Sequence, residues 1–175
     1  RDEQGIPTAW VARMRESMAR LTPRFSTNRA VCEYTAQHYL PAAAAYRERA
    51  ADNGAIGAAL VDWRHALEQK WAALRFGEVK LETTGEQHVI EAQVYLDELD
   101  PEAVRVELYA NGVGGAAAER VEMQRVRQLV GAANGYAYRA EVPATRPATD
   151  YTARVVPYRR GVAIPLEEAR IFWQR

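Results

Sequence analysis

The side chains most able to do chemistry lie close together near the start of the chain, in the stretch FSTNRAVCEY at residues 25 to 34. Cys32 lies beside Glu33 and three residues after Arg29. A thiolate nucleophile needs a base that accepts its proton. His38 is the one candidate on the same predicted helix, and six residues along a helix place two side chains at largely different azimuths. Cys32 is therefore interpreted as a small buried or half-buried residue.

The remaining candidates for catalysis or metal binding are scattered. The three histidines stand at positions 38, 65 and 88, and none has a His or Cys neighbour at the spacing of zinc ligands. The acidic run Asp97, Glu98, Asp100 and Glu102 lacks the alternating ligands and the glycine of a calcium loop, so a solvated connection between strands is favoured. No G-x-S-x-G nucleophile elbow occurs. We predict no catalytic, metal or cofactor-binding residues in this chain.

A glycine pattern in ELYANGVGGAAAERV imitates a dinucleotide fingerprint. Gly112, Gly114 and Ala117 follow a predicted strand at the fingerprint spacing. However, Asn111-Gly112 between alternating runs is a strong signal for a hairpin, and the βαβ unit that the fingerprint requires is missing. The hairpin is the favoured interpretation.

Aromatic side chains could stack on sugar rings. The candidates are Trp63, Trp71, Tyr136, Tyr138 and Trp173. Aromatic residues at helical or strand spacing mostly pack in a core, and packing is favoured for the two helical tryptophans.

The elements that must position these residues change in type near residue 76. Before it, apolar residues recur three and four apart and predict about four helices. The first begins at Pro7 or Thr8 and ends at Thr22-Pro23, with Trp10, Met14, either Ser17 or Met18, and Leu21 on one stripe. Ser26 caps a second helix over residues 27 to 39, Pro41 marks a kink or a fresh start, Asn53-Gly54 a stop, and a fourth helix covers residues 56 to 74.

From residue 76 the pattern is typical of β structure. Val104, Val106 and Leu108 alternate with Arg105, Glu107 and Tyr109. Seven strands are predicted, over residues 78–83, 87–96, 103–110, 119–128, 135–142, 150–157 and 169–173. The predicted fold class is α+β: a helical segment over residues 1–75, then an immunoglobulin-like antiparallel β-sandwich over residues 76–175.

Composition limits the partners. Lys plus Arg and Asp plus Glu number 23 each, which gives no net field to attract nucleic acid or an anionic membrane. The single Cys32 excludes an internal disulfide and suits a reducing compartment, so we expect a cytoplasmic location. No apolar run approaches the length of a membrane span. The start at Arg1, without an initiator Met, predicts a piece of a longer protein.

The stretch MRESMARLTPRFSTNRAVCEYTAQHYLPAA resembles the C-terminal portion of bacterial α-glucan (glycogen/maltodextrin) phosphorylases, GT-B-type glycosyltransferases whose short forms often end in an extra domain. That family carries a phrase of the type F-S-[ST]-[ND]-R-x-[VI]-x-E-Y. Here it is filled by Phe25, Ser26, Thr27, Asn28, Arg29, Val31, Glu33 and Tyr34. The resemblance covers residues 8 to 50 well, and RFGEVKLET and ATDYTARVVP look like the extension. As a local pattern, Ser26 is the cap, Phe25 a staple candidate and Arg29 with Glu33 a helix pair, so these are scaffold residues.

The resemblance implies a parent enzyme that uses phosphate to release glucose 1-phosphate from an α-1,4-glucan, with pyridoxal phosphate held on a lysine. Only Lys70 and Lys80 occur here, and neither lies in the expected glycine-rich segment. The chain alone is therefore expected to be non-catalytic and to partner the remaining catalytic lobes.

Two roles for the sandwich stay open. It could bind α-glucan through Tyr136 and Tyr138, or it could brace or assemble the enzyme, including as a homo-oligomer. The alternative is a free-standing helix-plus-sandwich adaptor for protein partners.

Overall fold

The computed structural model describes all residues from Arg1 to Arg175. It divides into two compact units, Arg1–Gly57 and Ala58–Arg175. The expected boundary between residues 75 and 76 differs from this division, because Trp63 and Leu67, at 6% and 0% exposed, belong to the core of the second unit.

The helices are α1 (Thr8–Phe25), α2 (Thr27–Tyr34) and α3 (Leu40–Lys70). The predicted stop at Thr22-Pro23 is wrong, since α1 continues through Pro23 to Phe25. Proline removes one hydrogen bond but fits the last turn when the helix ends soon afterwards. The extended backbone of Ser26 then separates α1 from α2. No helix has the length and apolar character to cross a membrane.

Two irregularities separate the predicted helices. A π-helical turn, Thr35–Tyr39, joins α2 to α3, and the N–H of Leu40 donates to the carbonyl of Thr35. Pro41 follows directly and has no N–H to donate, which favours a widened turn here over a full stop. The predicted stop at Asn53-Gly54 is confirmed as an interruption of α3, where Asp52, Asn53 and Gly54 have positive φ.

The β strands form two antiparallel four-stranded sheets. They are β1 (Arg75–Thr84), β2 (Gln87–Tyr95), β3 (Val104–Ala110), β4 (Glu119–Glu122), β5 (Gln124–Gln128), β6 (Gly135–Pro143), β7 (Thr152–Pro157) and β8 (Phe172–Trp173). Their orders are β1-β2-β6-β5 in sheet A and β4-β3-β7-β8 in sheet B. Short 3₁₀ turns cover Trp71–Ala73, Pro101–Ala103 and Ala148–Asp150. The predicted α+β class is confirmed, with three helices in place of about four and eight strands in place of seven.

The extra strand arises where the chain crosses between the sheets. The predicted strand at residues 119–128 is two strands, because β4 pairs with β3 in sheet B and β5 with β6 in sheet A. Met123 lies between them, 3% exposed, and its N–H donates to the carbonyl of Val106 at 2.8 Å. Burial of this one side chain fixes the crossing point.

One core serves both sheets and the end of α3. Alternate residues of β2, β3 and β6 point into it, including Val94, Leu108 and Val142, each at most 1% exposed. Trp63 and Leu67 add the helix to the same cluster, and the indole N–H of Trp63 donates to the carbonyl of Ala103 at 3.4 Å. Residues 58 to 70 are therefore part of the sandwich unit in packing terms.

Candidate functional site

The predicted burial of Cys32 is wrong, because its thiol is exposed on α2, a helix without buried residues, and forms no disulfide. No group of three or more His, Cys, Asp or Glu side chains converges on a point that could hold a metal ion. The acidic run is used locally: Asp100 accepts from the backbone N–H of Glu102, and Glu102 accepts from Arg125 at 2.8 Å. Gly112 and Gly114 lie in the loop joining the antiparallel strands β3 and β4, so the hairpin interpretation is confirmed.

The phrase at residues 25 to 34 is a helix start. The Ser26 hydroxyl accepts from the Arg29 N–H at 3.3 Å, and the Arg29 guanidinium contacts Glu33 at 2.7 Å. Tyr34 lies 5.9 Å from the His38 ring, centroid to centroid. Asn28 and Phe25 are exposed, Phe25 by 69%. The cap and the ion pair are confirmed, whereas the exposure of Phe25 leaves little staple contact.

An uncovered apolar stripe runs along α1. It consists of Trp10, Met14, Met18, Leu21 and Phe25, and is called the α1 stripe below. The spacing of four, four, three and four residues places them on one face of the helix. Each is between 47% and 69% exposed, and no residue of α1 or α2 is buried. Soluble proteins seldom expose a contiguous apolar surface of this kind unless it is an interaction site.

The tyrosine pair proposed to bind glucan lies on β6. Tyr138 pairs with Ala92 and Tyr136 with Val94, and both partners point into the core. Tyr138 is 5% exposed, and burial raises the pKa of its hydroxyl to about 12. Tyr138 is therefore buried and Tyr136 is half-buried. Whether any part of the sandwich binds glucan stays a prediction.

The outward face of sheet B carries a cluster built around Arg154. Its guanidinium lies over the rings of Tyr109 at 4.3 Å and Trp173 at 4.9 Å, and its Nε donates to Glu107 at 2.7 Å. The two rings meet edge to face, with centroids 5.3 Å apart. Arg154 is only 7% exposed although it points away from the core. The alternation of Glu107 and Tyr109 was visible in the sequence, but the strand register that brings Arg154 between the rings was not.

A cleft of about 430 Å³ adjoins this cluster, on the side where β1 and β8 are the edge strands. Phe76 and Phe172 stack across the two sheets, 5.6 Å apart and nearly parallel. The rest of the lining consists of Trp173, the aliphatic Ile171, and the two arginines Arg75 and Arg175. Trp173 is 37% exposed, so an aromatic ring in this cleft is open to a ligand.

Comparison with known proteins places these features in a family. A family model described as the glycogen phosphorylase C-terminal domain matches residues 71–175. The chain belongs to this family.

Relatives extend the similarity over more of the chain. The chain is 31% identical to the maltodextrin phosphorylase of Thermococcus litoralis over 157 residues, which cover 85% of this chain and 18% of that protein. It is 32% identical to the glycogen phosphorylase of Mycobacterium tuberculosis over 113 residues, 61% of this chain and 13% of that protein. The chain thus spans less than a fifth of these relatives' length. The resemblance to the C-terminal region of phosphorylases is confirmed.

The two lysines of this chain do not fit a pyridoxal phosphate site. Lys70 donates to the backbone carbonyl of Glu98 at 3.1 Å. Lys80 lies on the exposed edge strand β1, 3.6 Å from Glu78. A Schiff-base lysine needs an enclosed site that positions the cofactor ring. Neither lysine has one, so no step of the chemistry is assigned to them.

Proposed function

We propose that this chain is the non-catalytic C-terminal part of an α-glucan phosphorylase and that its helical unit braces the catalytic part. The parent enzyme would release glucose 1-phosphate from α-1,4-glucan, with pyridoxal phosphate held by residues outside this chain. One observation carries the bracing role: the α1 stripe is uncovered, whereas the sandwich has a complete core of its own.

The energetics favour a docked helical unit. Covering a large apolar side chain contributes about 1.5–3 kcal/mol relative to leaving it in water. The α1 stripe presents five such side chains, and Arg13 and Arg24 project from the same helix, whereas Arg20 is paired with Glu16. A surface with an apolar centre and acidic margins would complement this face. Phosphorylases of the length of the relatives have more than four-fifths of their chain available to supply it.

The test begins with the reading frame that encodes Arg1. We expect it to continue upstream into the catalytic lobes, whereas a start near Arg1 would favour the free-standing adaptor. The upstream polypeptide, produced separately, should then bind this chain in calorimetric titration. Met14→Ser with Met18→Ser should weaken that binding by roughly a hundredfold, because two buried apolar contacts are removed.

Ala12→Ser with Ala19→Ser is the matched control, since these alanines lie off the stripe on the same helix. If both double variants bind as tightly as the unchanged chain, the α1 stripe is not the docking face. Binding lost in both would indicate damage to the helix, which far-UV circular dichroism of each variant would reveal.

Glucan anchoring is a second candidate, favoured by the cleft at Trp173. A sugar ring could stack on the exposed part of the indole while Arg75 or Arg175 donates to its hydroxyl groups. Titration with maltoheptaose should then show saturable heat that Trp173→Ala removes and Trp10→Ala, at an exposed tryptophan outside the sandwich, leaves unchanged. No heat at millimolar sugar would exclude anchoring and leave bracing or assembly.

A further inference from the structure

Strand β1 is an open edge. It is the terminal strand of sheet A and pairs with β2 alone. A register shift between Phe76 and Val79 interrupts its first part, and the turn at Gly85 ends it. The regular segment between these limits is residues 79 to 84, and Leu81 lies near its middle. An edge of this kind presents unpaired N–H and C=O groups to another strand.

The two faces of this segment differ in chemistry. Val79 and Leu81 pair with the buried residues Ala92 and Ile90, so they lie on the core side. Leu81 is nevertheless 49% exposed, because nothing flanks the edge. Glu78, Lys80, Glu82 and Thr84 occupy the other face, with Lys80 and Glu78 both more than half exposed. The charges therefore alternate in sign along one line.

We propose that β1 pairs antiparallel with β1 of a second copy of this chain, about a twofold axis at Leu81, to join two copies of sheet A into one continuous sheet. This register places Lys80 opposite Glu82 of the partner subunit and Glu82 opposite Lys80 of the partner subunit. Leu81 meets Leu81 of the partner subunit on the core side. Opposite charges and apolar pairs directly across a ladder stabilise it.

The order of charges along β1 favours the register centred on Leu81 over those centred on Lys80 and Glu82. A twofold axis at Lys80 would set lysine against lysine and Glu78 against Glu82 of the partner subunit. An axis at Glu82 would set glutamate against glutamate. Like charges directly opposite destabilise a strand pair. A lysine on an edge strand ordinarily blocks pairing with other chains. Here Glu82 of the partner subunit satisfies it in one self-pairing, and the axis of that pairing lies near the middle of the regular segment.

Sedimentation velocity of this chain tests the proposal. We expect a reversible dimer at concentrations up to ~0.5 mM, since a small polar interface is weak. Lys80→Glu and Glu82→Lys should each weaken dimerisation roughly tenfold, because each turns two attractive pairs into repulsive ones. The double variant should regain the original dimerisation constant, since the pairs are restored with their signs exchanged.

Matched controls make the same charge changes elsewhere on the face. Arg139→Glu and Glu141→Lys lie on β6, which is not an edge strand, and should leave dimerisation unchanged. A monomer throughout the concentration range would overturn the proposal. So would a dimer that persists equally in all variants, which would point to the α1 stripe. A double variant that fails to recover while remaining folded by circular dichroism would overturn the register.

Cross-linking gives an independent readout. In a Cys32→Ser background, Leu81→Cys should form a disulfide-linked dimer on mild oxidation, because its Cα atom lies opposite its own copy. Val79→Cys should form no such dimer. The two introduced cysteines would lie four residues apart along the strand pair, beyond the ~7 Å limit between Cα atoms for a disulfide. Equal cross-linking at both positions would contradict a fixed register.

Discussion

Trp63 of α3 reaches into the sandwich and donates its indole N–H to the carbonyl of Ala103, 3.4 Å away. The bond ties a helical residue to the 3₁₀ turn that leads into β3, and Leu67 packs one helical turn further along. The end of α3 is thus an additional layer on the core of sheets A and B.

Leu67→Ala should destabilise the sandwich unit by about 2–5 kcal/mol, because a fully buried leucine leaves a cavity. Val61→Ala is the control on the same helix, since Val61 is 52% exposed and should cost less than about 1 kcal/mol. Denaturant unfolding followed by the fluorescence of the tryptophans measures both. Equal, small effects would show that the helix end does not belong to the core.

Gly77→Ala should cost about 1–3 kcal/mol, because a Cβ there would lie 2.9 Å from both the Tyr95 ring and the Gln93 side chain. Tyr95→Ala in the same chain should reduce this penalty by removing the ring. Gly57→Ala is the control: a Cβ there would meet the Arg49 carbonyl oxygen at 3.4 Å, an ordinary contact, so the change should be neutral or mildly stabilising. A double-mutant cycle from thermal melts would detect the coupling, and simple additivity would argue against the contact.

Breaking the buried ion pair of Arg154 and Glu107 should cost much more stability than breaking an exposed ion pair of the same sheet system. Arg154→Met should destabilise by about 3 kcal/mol, since it leaves the Glu107 carboxylate, 17% exposed, without its partner. Arg139→Met breaks the exposed pair with Glu141, in which both side chains are nearly half exposed, and should cost at most about 1 kcal/mol. Adding Glu107→Leu to Arg154→Met should recover part of the loss. Similar effects at both sites would mean that burial of Arg154 contributes little.

Alkaline pH should destabilise the sandwich through Tyr138. Its pKa is raised from 10.0 to about 12, mainly by burial. Between these values the folded state keeps a proton that the unfolded state releases, so stability is complete below pH 10 and is lost as pH rises through 12. Tyr138→Phe should reduce the loss of unfolding free energy over this pH range by on the order of 1–2 kcal/mol. Tyr136→Phe is the control on the same strand. Urea midpoints measured from pH 9 to 12 would check it, and parallel curves for both variants would contradict it.

Patterns confined to one element were predictable from the sequence. The α1 stripe as far as Leu21 follows from spacing, and the burial of Val104, Val106 and Leu108 follows from a period of two. The Ser26 cap and the Arg29–Glu33 pair are likewise local. In each case successive members of the pattern lie within four residues of one another.

Features that depend on distant partners were not predictable. Tyr136 and Tyr138 share a face with Ala140 and Val142 by period, but the sequence does not reveal that β2 supplies the residues beside the rings. Arg154 is buried because β3 and β8 bring Tyr109 and Trp173 to it from 45 and 19 residues away in sequence. Met123 gave no signal of a crossing, since the run around it reads equally well as one strand or a helix. The period of a strand shows which residues share a face. It does not show which part of the protein packs against that face.

The crossing at Met123 has a consequence for how the domain opens. Because β4 and β5 are consecutive segments in different sheets, detaching the edge of sheet B pulls directly on the edge of sheet A. A fluctuation that frees β4 must either extract Met123 from the core or release β5 as well. Local fraying should therefore be suppressed on this side, and the amides of both strands should exchange with solvent hydrogen at nearly one rate. The opposite side, where β8 is two residues long, has no such linkage and should exchange first.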